Sequence, residues 1–220
     1  MRLIFLDRII VIGAGGHARS VLDILLENNE YEVLGCLDPI FPINKFVPKM
    51  PEVAVIGIDG DMKKFYDDGI NKIFVAIGDN KLRKKLQDQA IAIGFEVINA
   101  VSKFSRISSR ASLGKGICIM AGAIVNVNCR IGDGCIINTN CSIDHDCEIA
   151  DFVHVAPGTA ISGTTSVGQG THIGTNSSVI DGTVIGEWSY IGAGAAVVKN
   201  IGSHVMAYGV PAREIRSLKE

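Results

Sequence analysis

The amino-acid sequence predicts two fold classes in one chain, an α/β unit over residues 1–100 and a parallel β-helix over 101–200. Three observations predict them. Short aliphatic runs alternate with helical spacing through the first hundred residues, and such alternation makes a parallel sheet with crossover helices. From Val101 to Val197, every sixth residue is Ile, Leu or Val, 17 positions without a break. Gly is abundant, 25 of 220 residues, and aromatics are only 6%, a composition for repeated tight turns rather than an aromatic-rich core.

In the first part, Arg8–Ile12 reads as a strand ending at Gly13. His17–Asn28 has apolar residues at Val21, Leu22, Leu25 and Leu26, a helical spacing. Tyr31–Leu37, Glu52–Ile56, Lys72–Ile77 and Phe95–Ile98 read as strands, and Asp59–Tyr66 and Asn80–Ala92 as helices. In the second part, a period of six fits neither a helix nor simple strand alternation; it is the repeat of a parallel β-helix. The aliphatic residue points inward, and the small residue two before it (Ala123, Cys129, Thr159, Ser177) fills the space near the corner. Three hexads make one coil, so residues 18 apart stack at about 4.8 Å, giving five to six coils. Residues 201–220 leave the register and are expected to cap the last coil.

Other properties narrow the function. The net charge of −2 argues against a broadly basic nucleic-acid binder. The apolar start Met1–Leu6 is too short for a signal-peptide core, and no run approaches the roughly 18 apolar residues of a membrane helix. A cytoplasmic protein whose six cysteines are thiols is therefore expected. Cys129, Cys135, Cys141 and Cys147 occupy the small inward position of successive hexads. That is not a zinc spacing, so core packing is expected and no metal site.

Gly13-Ala14-Gly15-Gly16-His17-Ala18 joins a strand to a helix start, the setting of a backbone anion site. Asp38 follows Gly15 by 23 residues, where an acid meets a ribose in dinucleotide folds. The residues alone leave two readings: an empty strand-to-helix turn, or an NAD site, for which a hundred residues supply only half the usual unit. Asn80 and Arg83 follow the Lys72–Ile77 strand at the ligand-binding end of such a sheet; the alternative is a helix cap and a surface cation.

His145 stands at an outward corner position between Asp144 and Asp146. Acyl transfer to an amine or hydroxyl needs a base near neutral pH, which imidazole supplies, and a carboxylate fixes its tautomer. His154 and His172 are 18 apart and should stack on adjacent coils. His145 and His154 are half a coil apart and should lie on different sides of the prism; if both serve one site, a neighbouring subunit completes it.

These features together resemble the hexapeptide acyltransferases with a left-handed β-helix, in particular the subgroup with an N-terminal Rossmann-like domain. That subgroup includes UDP-4-amino-sugar N-acetyltransferases and sialic acid O-acetyltransferases. The markers are Ile12-Gly13-Ala14-Gly15-Gly16-His17, Cys36-Leu37-Asp38, Ala76-Ile77-Gly78-Asp79-Asn80, Ile143-Asp144-His145-Asp146-Cys147, Phe152-Val153-His154-Val155 and Gly209-Val210-Pro211-Ala212-Arg213.

The resemblance implies transfer of acetyl from acetyl-CoA to the 4-amino group of a UDP-amino-sugar in bacterial glycan synthesis. It implies His145 as base with Asp146 behind it. Gly15, Gly16, His17, Asp38 and Pro39 are then expected at the sugar nucleotide, with Asp38 reading uracil or ribose. His154, Thr175 and Ala193 are expected at acetyl-CoA, and Lys199 or Arg213 could meet its phosphates. A homotrimer is expected. A sialic acid acceptor, a small-metabolite acceptor and a non-catalytic nucleotide-sugar scaffold are the alternatives.

Overall fold

Ile9, Ile10, Val11 and Ile12 are apolar in succession and all fully buried, as befits a central strand covered on both faces. In the computed structural model of the protein, which describes residues 6–218, they lie in β1 (Asp7–Ile12). The chain divides into two compact units between Ala100 and Val101.

The first unit continues with α1 (Gly16–Asn28), β2 (Tyr31–Leu37), β3 (Phe46–Val47), β4 (Met50–Gly57), a 3-10 turn (Asp59–Asp61), α2 (Met62–Asp67), β5 (Lys72–Val75), α3 (Asn80–Ile93) and β6 (Glu96–Val97). Its sheet order is β3-β4-β2-β1-β5-β6. All pairings are parallel except the β3–β4 hairpin. The chain leaves β1 toward β2 and returns to β5 on the other side. The loops after β1 and β5 therefore flank the point where the strand order reverses, the usual crevice of such sheets.

Three readings of the sequence need correction here. The strand expected through Ile77 ends at Val75, where its partner strand ends: Val75 pairs with Ile12, after which β1 gives way to Gly13 with a φ of +105°. The helix expected over Asp59–Tyr66 begins as a separate 3-10 turn. The two-residue strand β3 was not anticipated; it is too short to show a period.

The second unit holds seventeen two-residue strands, β7 (Ala100–Val101) to β23 (Ala196–Val197), each ending on one of the sixth-spaced aliphatic residues. They stack as three parallel sheets, forming a three-sided parallel β-helix. Register partners differ by 18, as in Ile136, His154, His172 and Tyr190. From Ile119 onward the sixth-spaced aliphatic residues are buried in one continuous core.

The small inward residues do more than fill space. The thiols of Cys129, Cys135, Cys141 and Cys147 lie 2.8–3.2 Å from the carbonyl oxygens of Asp144, Ala150, Ala156 and Ser162, each 15 residues on. The hydroxyls of Thr159 and Ser177 repeat the bond to Gly174 and Gly192 at 3.0 Å. Each donor thus ties its own coil to a corner carbonyl of the next one. Burial raises the Cys141 and Cys147 thiols to about 11, so these cysteines are unreactive, and they point at different carbonyls rather than at one centre.

After β23 the chain forms β24 (Val205–Gly209), parallel to β22 (Tyr190–Ile191), and β25 (Ala212–Ser217), antiparallel to β24. This hairpin covers one of the open sheet edges of the last coil. No helix among the described residues is long and apolar enough to cross a membrane. Of the apolar run Met1–Leu6, only Leu6 lies within the described residues.

Candidate active site

The glycine turn opens α1. Gly15 is its N-cap, with no side-chain cap and no acidic residue in the first turn. The first-turn amides therefore keep their partial positive charge for an incoming anion. A Cβ on Gly15 would meet nothing within 4 Å, and one on Gly16 only the end of Arg19, at 3.8 Å. The protein's own packing does not demand glycine at either position.

His17 is half-buried. Its Nε2 atom is buried and has no hydrogen-bond partner among the described residues. Burial, reinforced by the Arg83 cation, depresses its pKa to about 4, so the ring is neutral near pH 7.

Arg83 is only 1% exposed. Its Nη1 donates to the carbonyls of Ile77 (3.0 Å) and Gly78 (3.1 Å), and its Nη2 to Asn80 Oδ1 (2.8 Å). The surface-cation alternative is thus corrected: Arg83 braces the loop after β5 from inside. Sequence reasoning placed it at the right end of the sheet but had no signal for its burial, since a lone Arg on a helix is usually solvated.

Asp38, expected at ribose or base, holds the glycine turn. It is 6% exposed. Its Oδ2 accepts from the Ala14 N–H at 2.8 Å, and its Oδ1 from the N–H groups of Ile40 (2.8 Å) and Phe41 (3.4 Å). The carboxylate ties the glycine turn to its own turn and leaves Pro39 and Ile40 exposed beside it. Sequence reasoning missed Asp59, just past β4. Its Oδ1 is buried without a hydrogen-bond partner among the described residues, and burial and the Asp38 charge raise its pKa.

In the second unit, His145 lies in the exposed turn between β14 (Ser142–Ile143) and β15 (Glu148–Ile149). Its Nδ1 is 2.9 Å from Asp146 Oδ2. Asp146 Oδ1 accepts from Asn128 Nδ2 at 3.0 Å, and Asp144 Oδ1 from Asn126 Nδ2 at 3.0 Å. The two asparagines come from the preceding coil and hold both carboxylates in place. The Asp146 hydrogen bond, helped by Asp144, raises the His145 pKa; Asn128 and His145 lower that of Asp146. With Nδ1–H donated to Asp146, neutral His145 presents Nε2 as a proton acceptor.

His154 begins β16 (His154–Val155), on a different sheet from β14. Asn138 Nδ2 is 3.1 Å from His154 Nε2, and as the amide is the donor, the neutral ring carries its proton on Nδ1. His154 meets His172 edge-on at 4.6 Å, and His172 stacks on Tyr190 at 4.6 Å with the planes 5° apart. Asn138 and Tyr190 were not anticipated, although Tyr190 is the next residue in the 18-spaced series. Thr175 and Ala193 are both exposed at one corner, joined by the Gly194 N–H to the Thr175 carbonyl (2.8 Å). The structure thus brings together His145 with Asp146, His154 with His172, and Thr175 with the Ala193 turn.

Residues 8–90 match the PglD N-terminal domain family, and residues 164–199 the bacterial transferase hexapeptide (six repeats) family. Perosamine N-acetyltransferase from Caulobacter crescentus, solved in complex with CoA and GDP-perosamine, is 36% identical, with a TM-score of 0.89 over 95% of this chain and 97% of that one. The chain belongs to the hexapeptide sugar acetyltransferases.

Other proteins are similar to this chain. The acetyltransferase domain of PglB from Neisseria gonorrhoeae, solved with acetyl coenzyme A, is 32% identical at a TM-score of 0.88, covering 96% of this chain and all of that one. WeeI from Acinetobacter baumannii shares the fold at 24% identity and a TM-score of 0.73, over 94% of this chain and 99% of that one. A curated relative, uncharacterized protein L142 of Acanthamoeba polyphaga mimivirus, is 33% identical over 123 residues, which are 56% of this chain. The chain spans about a quarter of that protein's length, 23%. This chain is a Rossmann-like domain followed by a left-handed β-helix of hexapeptide repeats.

Proposed function

We propose that this sugar acetyltransferase moves acetyl from acetyl-CoA to the 4-amino group of a UDP-linked amino-deoxy sugar, with His145 as the base. The hydrogen-bonded pair His145–Asp146, 2.9 Å apart at an exposed corner, carries this reading. The acceptor nitrogen attacks the thioester carbonyl carbon while its proton passes to Nε2 of His145. Asp146 stabilises the imidazolium. The tetrahedral intermediate collapses, the C–S bond breaks, and the imidazolium returns the proton to the departing CoA thiolate.

The open glycine turn supports a phosphate-bearing acceptor, with Gly15 and Gly16 admitting the diphosphate and the unpartnered Nε2 of His17 available to a phosphate or sugar oxygen. Pro39, beside the anchored Asp38, would border the nucleoside. His154, Thr175 and Ala193 would receive the donor, whose pantetheine arm suits an edge of stacked coil corners.

His145 and His154 stand on different sides of one β-helix, so a shared site would draw them from neighbouring subunits of a homotrimer. Mixing inactive His145→Ala and His154→Ala chains, co-refolded, should then restore activity.

The test of the reaction is free-thiol release from acetyl-CoA with UDP-4-amino-sugars, GDP-perosamine, sialic acid and CMP-sialic acid side by side. Release with the UDP-amino-sugars supports the proposal. Release with GDP-perosamine alone keeps nitrogen acetylation and replaces the nucleobase, as in the Caulobacter relative's complex. Release with sialic acids alone overturns the acceptor, and silence across the panel favours a nucleotide-sugar scaffold.

A further inference from the structure

His145 projects from the third position of its hexad, two residues after the inward aliphatic Ile143. Seventeen residues from Lys103 to Lys199 occupy that corner position, and only Gly163 is a glycine. Gly163 lies one coil after His145.

The usual reasons for glycine do not apply there. Gly163 does not adopt a left-handed φ, so its backbone admits any L-residue, and no inward packing depends on it: the three atoms nearest a Cβ at 163 all belong to the His145 ring, Cε1 at 2.5 Å, Nε2 at 2.7 Å and Nδ1 at 2.9 Å. Gly163 is buried, whereas Asp181 and Lys199, at the same corner one and two coils on, are exposed.

We infer that Gly163 is a positioning residue for the proposed base: its missing side chain is the seat on which the His145 ring lies. This rests on the base role proposed above. Three successive coils then set one imidazole. Asn128 holds Asp146 at 3.0 Å, Asp146 holds Nδ1 at 2.9 Å, and Gly163 leaves room for the ring to lie back against the next coil. An exposed histidine tethered through a single hydrogen bond would otherwise sample several rotamers. Because the ring is the mobile end of a side chain, a methyl at 163 moves the ring and not the coil. The displaced ring loses its bond to Asp146.

Gly163→Ala tests this. The expected variant melts near the parent temperature and keeps its KM for acetyl-CoA, but loses at least tenfold in kcat. By NMR titration, the His145 ring pKa falls toward its ordinary value. The charged groups facing the ring are Asp144 and Asp146 on its own turn; the coil before offers the neutral amides of Asn126 and Asn128, and the coil after offers Gly163 and Thr164, which carry no charge. Loss of the Asp146 contact therefore has one direction.

Asn128→Ala, which frees Asp146 without touching residue 163, should shift the titration the same way by a smaller amount. An unchanged titration in Gly163→Ala overturns the inference whether or not kcat falls, since a fall alone would mean that the methyl blocks a substrate. If Gly163→Ala proves unstable, it is combined with His145→Ala: recovery of the His145→Ala melting temperature supports the seat, and persistent instability overturns it. Turnover retained by His145→Ala would remove the base role while leaving the ring titration to report on the seat.

Discussion

His17 and His145 are the same side chain put to opposite uses. His17 sits in the first unit beside the cation of Arg83, half-buried, and its pKa is depressed to about 4. His145 stands in solvent between two carboxylates, and its pKa is raised. Desolvation disfavours the imidazolium, while a hydrogen-bonded carboxylate favours it. Near neutral pH the first ring stays uncharged and offers only hydrogen bonding, whereas the second is poised to gain and lose a proton. One unit thus carries a neutral imidazole beside an open glycine turn, and the other a carboxylate-backed imidazole at an exposed corner.

The comparison breaks first at His145. His145→Ala should lower kcat by about 10²- to 10⁴-fold, the usual contribution of a general base, with circular dichroism unchanged. If His17→Ala gives that loss and His145→Ala does not, the two roles are reversed.

Asp146→Asn should cost less, on the order of tenfold to a hundredfold in kcat, and should also move the pH profile. A protonated imidazole cannot accept a proton, so activity falls as pH drops through the raised His145 pKa. Removing the Asp146 charge lowers that pKa and shifts the acid limb of kcat/KM to lower pH. His17 gives no limb above about pH 4, and a second limb near 6.5 that disappears in His17→Ala would contradict its neutrality.

His17→Ala should be milder still, raising KM for the sugar nucleotide by about tenfold, the value of one lost hydrogen bond, while KM for acetyl-CoA stays constant. The smallest effect is expected away from both rings. Cys141→Ser keeps a donor for the Ala156 carbonyl, as Ser177 does for Gly192, and should change stability by no more than about 1 kcal/mol in a denaturant melt.

The β-helix was legible because its signal is periodic. An inward aliphatic residue every sixth position reports a local geometry repeated seventeen times, and neither insertions nor distant contacts disturb it. The His145–Asp146 pair was legible for the same reason, since adjacent residues at a corner of known direction must be neighbours. Arg83 and Asp38 were less so. Each keeps its expected place at the carboxyl ends of the strands, but what its charge faces depends on loops that meet only when the sheet forms. Burial then makes Arg83 a brace rather than a solvated cation, and the fold sets Asp38 as an anchor for the Ala14 amide.

Read alone, the chain specifies its register, its stacking partners 18 apart and the adjacency of His145 and Asp146 at an outward corner, because these follow from spacing along the backbone. It leaves open which polar groups are buried, which carbonyls the inward thiols and hydroxyls satisfy, and why residue 163 lacks a side chain. Those are settled by contacts between successive coils and between loops of one sheet. Hydrogen bonding and desolvation act across space rather than along the sequence, so only the folded chain assigns them.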